Sequence, residues 1–147
     1  VLEWFTKGGF DRLIIIDGLV KPDKKGEQGD LFGVGSISTA REMLTKAGVE
    51  PIQQGVVAGI CGYLLSEGER LGLDITAILA ECSPMYPDAR AAALAIEAVS
   101  ELIGIEIPLS SLIEDARAIE NSVQEIFENA QNALPAPEDT SSDPSFG

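Results

Sequence analysis

Residues 55–88 read GVVAGICGYLLSEGERLGLDITAILAECSPMYPD. A glycine-rich turn with Gly55, Gly59 and Gly62 opens the stretch. A helical pattern follows, with Ile60, Tyr63, Leu64 and Leu71 as its apolar face and Gly72 as its stop. Residues 74–81 then form a strand whose apolar run, Ile75 to Ala80, ends in Glu81 and Cys82, before a loop with Pro84, Tyr86, Pro87 and Asp88. With residues 51–57 as a preceding strand, the stretch reads as strand, glycine turn, helix and strand, a β-α-β unit. Loops of such units lie beyond the carboxyl ends of the strands, where open α/β sheets place their sites.

The flanks extend this pattern. Residues 1–5 read as a helix end closed by Gly8 and Gly9, and a chain that begins inside an element predicts a preceding N-terminal part. Residues 13–16 are a β-branched run, the mark of a strand covered on both faces. Residues 18–30 carry glycines, a proline and three lysines, and read as a surface loop. A second strand spans residues 31–37, where Gly33 and Gly35 mark close backbone approach. Ser38 or Thr39 caps a helix that runs to Ala47.

Two helices follow the central stretch. The first starts at Pro87 and buries Ala92, Ala95, Ile96, Val99, Leu102 and Ile103. The second opens on the capping box Ser111–Glu114 and carries the seam Leu112, Ala116, Ile119, Val123, Ile126 and Ala130. These elements predict one α/β domain over residues 1–131, three-layer α/β/α with a mostly parallel sheet and two C-terminal helices. Residues 132–147 are proline-rich and acidic and read as a disordered tail.

Composition narrows the function. Hydrophobic residues make up 45% of the 147, enough for a core, but only 5% are aromatic, so Ile, Leu, Val and Ala do the packing. A net charge of −14 disfavours nucleic acid and anionic membranes and suits a basic partner. Residues 97–131 hold eight acidic side chains against Arg117 alone, giving the last two helices a negative outer face. The two cysteines, Cys61 and Cys82, read as buried thiols in a reducing cytoplasm. There is no histidine.

No motif implies a cofactor or metal. The glycine spacing misses the dinucleotide fingerprint, and Gly62 is followed by Tyr63 where a P-loop needs lysine. A tight strand-to-helix turn is the simpler account, although amides at that helix start can hold an anion. Glu81 and Asp88 are paired carboxylates near a strand end, capable in principle of acid–base work. With no histidine or defined nucleophile beside them, Glu81 reads better as a hydrogen-bonded structural group. Cys82 lacks the partner a catalytic thiolate needs.

Several blocks in fixed order carry a family resemblance. They are Leu2-Glu3-Trp4, the strand ending in Asp17-Gly18, the Gly55 turn through Leu65, Ala77-Ile78-Leu79-Ala80-Glu81, the loop around Tyr86, Asp88 and Arg90, and residues 102–107 between the last helices. Together they cover residues 1–131 and resemble the C-terminal larger part of the proteasome assembly chaperone domain and its archaeal relatives. The resemblance implies a fold similar to nucleoside phosphorylases without their catalytic set. It implies a non-enzymatic, homo-oligomeric protein that grips proteasome α subunits. It also implies a docking tail ending in a hydrophobic residue, tyrosine and any residue. Here the end is Ser145-Phe146-Gly147, which keeps the aromatic and loses the preceding hydrophobic residue. Phe146 and Gly147 are thus the partner-binding candidates. The competing reading is a small-molecule, nucleoside-like binding protein or enzyme that uses the cleft near Gly59, Glu81 and Asp88.

Overall fold

The computed structural model describes residues 1–21, 29–84 and 88–133. In chain order the elements are α1 (Leu2–Lys7), β1 (Leu13–Val20), β2 (Leu31–Gly35), α2 (Ser38–Lys46), β3 (Glu50–Pro51), α3 (Gly59–Leu71), β4 (Ile75–Cys82), α4 (Ala89–Ile103) and α5 (Ser110–Ala133). The strands form one sheet in the order β1-β4-β2-β3. β1 runs parallel to β4 and β2 parallel to β3, while β2 and β4 are antiparallel, so two of the three pairings are parallel.

β4 is the centre of the molecule. Its residues 75–80 are all buried, because helices cover both faces. On one face Ile78 and Ala80 pack with Leu44 and Val49, next to α2, and with Ala91, Ala95, Ala98 and Leu102 of α4. On the other face Ile75, Ala77 and Leu79 pack with Cys61 and Leu65 of α3 and with Leu2 of α1. The result is three layers, helices on either side of a sheet. Full burial of Ile75 and Ile78 contributes about 1.5–3 kcal/mol each by area.

Glycines set how close the layers come. A Cβ at Gly33 would lie 2.6 Å from Leu44, and one at Gly35 would lie 2.7 Å from the Arg41 backbone nitrogen. α2 therefore rests almost directly on β2, as the sequence suggests. Ser36 joins the strand ends by donating to the Leu73 carbonyl at 2.7 Å and accepting from the Ile75 amide at 2.9 Å.

Several local expectations change. The strand expected over residues 51–57 is only the two-residue β3, since Pro51 has no N–H for a ladder and the chain then leaves the edge as a loop. β3 lies at the far side of the sheet from β1 and is not a neighbour of β4, so the central stretch is not a parallel β-α-β crossover. α2 is capped at Ile37 without a side-chain bond, not by Ser38 or Thr39. α4 begins at Ala89, after its N-cap Asp88, rather than at Pro87, which lies outside the described residues.

The buried helix faces are also rotated from the expected ones. In α3, Leu64 faces inward as expected, together with Cys61, Leu65 and Gly68, while Ile60, Tyr63 and Leu71 are exposed. Small residues let this helix approach the sheet, with a Cβ at Gly68 only 2.9 Å from Ile75. In α4 the alanines at 91, 95 and 98 face the sheet with Leu102, whereas Ala92 and Ile103 are exposed. In the α5 seam Val123 is half-buried, but Ile126 is 67% exposed. Among the described residues, nothing covers Ile126 at that end of the seam. The side chains of Leu112, Ala116 and Ile119 lie outside the described residues. So do Phe146 and Gly147, although α5 itself extends to Ala133, past the expected start of the tail.

Candidate functional site

The C-terminal ends of β1 and β4 meet the loop that enters α3. Parallel register aligns Asp17 with Leu79 and Leu19 with Glu81. Strand alternation places Asp17 on the α3 face, with Ile15 and Leu19. A cavity of about 490 Å3 opens there. Its lining is apolar at Leu19, Phe32, Ile52, Val57 and Leu79 and polar at Asp17, Glu81, Gln53 and Gln54.

The glycine turn shapes one wall. Gly59 has φ +66° and starts α3, with nothing within 4 Å of the position a Cβ would take. Its role is conformational, since the left-handed region costs an L side chain about 1–2 kcal/mol. Gly62 works differently. A Cβ there would overlap the Val57 carbonyl oxygen and lie 2.9 Å from its carbon. Only glycine lets the loop lie this close to the helix. Gly55 itself lines the cavity, whereas Gly59 and Gly62 stand behind it.

The two sequence-predicted carboxylates are not brought together. Glu81 lines this cavity, on the α3 face. One of its oxygens accepts from Lys21 Nζ at 2.8 Å and from the Asp30 amide at 3.1 Å. Asp88 lies against the α4 face, in a second hollow with Ile16, Ala80 and Ser83 that shares only Asp17 and Gly18 with the first. It caps α4 by accepting from the Ala91 amide at 3.0 Å and also accepts from the Ser83 amide at 3.1 Å. Both acids are held by structural hydrogen bonds of the kind expected for Glu81.

Sequence reasoning missed Asp17. Its one polar contact among the described residues is local, an oxygen accepting from the Gly18 amide at 2.8 Å, and no Lys or Arg pairs with it there. The signal was an Asp-Gly pair at the end of a β-branched run. Cys61 lies buried behind the cavity, and its thiol is pushed up, first by burial and then by the negative charge of Asp17. It is a packing group in this state rather than a nucleophile. Among the described residues, no group of three or more His, Cys, Asp or Glu side chains could hold a metal ion. No helix among them is long and apolar enough to cross a membrane.

The architecture is that of a three-layer α/β protein whose candidate acids are built into strand ends and a helix cap. The chain belongs to the PAC2 family, whose sequence pattern matches residues 1–127. It is 33% identical over 103 residues to uncharacterized protein MJ0106 of Methanocaldococcus jannaschii, covering 70% of this chain and 43% of that protein. It is similar to PbaA of Pyrococcus furiosus, an archaeal homolog of proteasome-assembly chaperone, with a TM-score of 0.74 and 26% identity. That match covers 90% of this chain and 60% of PbaA. Pyrococcus furiosus PbaB, an archaeal proteasome activator, shares the fold with a TM-score of 0.72 at 24% identity, covering 85% of this chain and 54% of PbaB. The chain thus spans less than two thirds of the length of these relatives.

Proposed function

We propose that the chain is part of a non-enzymatic, cytoplasmic proteasome assembly chaperone that binds proteasome α subunits as a homo-oligomer. The observation that carries this reading is the likeness to PbaA over 90% of the chain at 26% identity. The site chemistry agrees with a binding role. Glu81 is tied to Lys21 and Asp30, Asp88 to a helix end, and Cys61 is buried.

Two surfaces suit a partner. Helices α4 and α5 expose Glu97, Glu101, Glu114 and Glu125, an acidic face complementary to basic patches. Phe146, next to the terminal Gly147, is the anchor proposed for the tail, with the chain-end carboxylate pairing to a lysine. The nucleoside-like reading needs Gly59, Glu81 and Asp88 in one cleft. Glu81 and Asp88 line different hollows on opposite faces of the sheet, so no single observation favours it.

The test is a titration of the purified chain against archaeal proteasome α subunits, read by native mass spectrometry. A saturable complex is expected. Deleting residues 145–147 should weaken it with no change in melting temperature, and Ser145→Leu with Phe146→Tyr should strengthen it. Equal binding by all three versions refutes the tail as the contact. Absence of any complex refutes the function.

A further inference from the structure

The cavity at the ends of β1 and β4 has chemistry of its own, independent of proteasome binding. Leu19, Phe32, Ile52 and Leu79 give it an apolar lining. Its charged lining is acidic. Glu81 is already engaged by Lys21, but Asp17 has no cationic partner among the described residues. Among the described residues no Lys or Arg lines the cavity. Gln53 and Gln54 add amide groups beside it. The Cys61 thiol nearby is raised first by burial and second by the negative charge of Asp17.

We propose that this cavity binds a small organic cation, an amine or amidinium carried on an apolar ring or short chain. The apolar body lies on Phe32 and Leu79, and the cationic head pairs with Asp17. The sign of charge disfavours phosphate-bearing ligands such as nucleotides, which would meet Asp17 in a chain of net charge −14. The volume of about 490 Å3 suits a molecule of this class.

Benzamidine is the probe. A two-dimensional amide NMR titration of the whole chain should show saturable shifts at Gly18, Phe32, Val57 and Leu79. Neutral benzamide has the same shape and should bind about ten-fold or more weakly, because a hydrogen bond to a charged group is worth about 1.5–3 kcal/mol. Benzoate should not bind. Asp17→Asn keeps the side-chain shape and should erase the preference for benzamidine while leaving the melting temperature in place. Equal affinity of the wild-type chain for benzamidine and benzamide overturns the proposal, a comparison that needs no variant. So does an Asp17→Asn protein that keeps the preference, or the absence of saturable shifts at these amides.

Discussion

Gly62→Ala separates two opposing effects by the sign of a single measurement. In an ordinary helix the change stabilises by about 0.8–1 kcal/mol, because alanine restricts the unfolded chain and favours the helix. At this position the new methyl group lies 2.9 Å from the Val57 carbonyl carbon and overlaps its oxygen. Carbon–carbon contacts are most favourable near about 3.5–4.0 Å, so the loop over residues 52–58 must withdraw by at least about 0.6 Å. Overpacking of this kind costs about 1–3 kcal/mol. The net expectation is a loss of about 1 kcal/mol. With a urea slope of about 2 kcal/mol per molar, the denaturation midpoint falls by about 0.5 M. The melting temperature falls by about 2–4 °C for a chain of this size. Amides of residues 52–58 should exchange faster, since the loop has lost its seat on α3. A midpoint that rises by a similar amount would refute the close approach and return α3 to the behaviour of an exposed helix.

The other predictions address separate interactions. Gly59→Ala should cost about 1–2 kcal/mol from handedness alone, and Gly59→Asn less, since asparagine tolerates φ > 0; equal urea midpoints for glycine, alanine and asparagine would contradict the positive φ. Arg12 donates to Asp74 at 2.7 and 3.1 Å, and that hydrogen bond is the main reason its guanidinium is held above its ordinary value. Arg12→Met leaves the largely buried Asp74 carboxylate without that partner, so about 2–4 kcal/mol should be lost and most of it regained in Arg12→Met with Asp74→Leu; an unchanged single-variant midpoint would count against the pair. The Cys61 thiol is raised by burial and by Asp17, so the folded state holds it neutral where the unfolded thiol ionises. Stability is therefore whole below about pH 8.5, the unfolded value, and falls above it; Cys61→Ser should flatten that fall, and an unchanged slope would remove Cys61 as its source.

The order and type of the elements were legible because each is punctuated by its own glycine or proline. Gly48, Gly72 and Gly104 end α2, α3 and α4 much as the sequence suggests, and the last two are left-handed caps. The β-branched run at residues 13–16, read as a strand covered on both faces, is β1, which lies at the sheet edge with Ile16 exposed; the strand covered on both faces is the apolar run of β4. Helix facing was less legible. Periodicity assigns the largest apolar side chains inward, and in α3 this selects Ile60 and Tyr63. The fold turns Cys61, Leu65 and Gly68 inward, because close approach favours small residues where helix meets sheet. The strand after Glu50 failed for a different reason. Its apolar residues Ile52 and Val57 are used, but they pack as loop side chains over the α3 face of the sheet. Within the site, Gly55 and Glu81 were visible in sequence, whereas Asp17 gains its position only through the register of β1 on β4. Asp88 was visible as a helix-terminal acid and does that work on the opposite face.

β1 has a bearing on how the isolated chain behaves in a tube. Its eight residues pair with β4 along one side, and among the described residues nothing pairs along the other. Natural edge strands are commonly short, bulged or studded with lysine and proline, which discourages further pairing. Leu13–Val20 has none of these guards, and Asp17 is the one charge along it. Among the described residues, such a ribbon is a template with its hydrogen-bonding capacity still open. Any extended peptide of suitable apolar pattern that settles alongside gains a ladder of amide contacts at once. Concentrating the chain thus favours turbidity and fibril-type growth, and a lysine introduced at Ile16, which is already 52% exposed, is the natural way to keep it in solution.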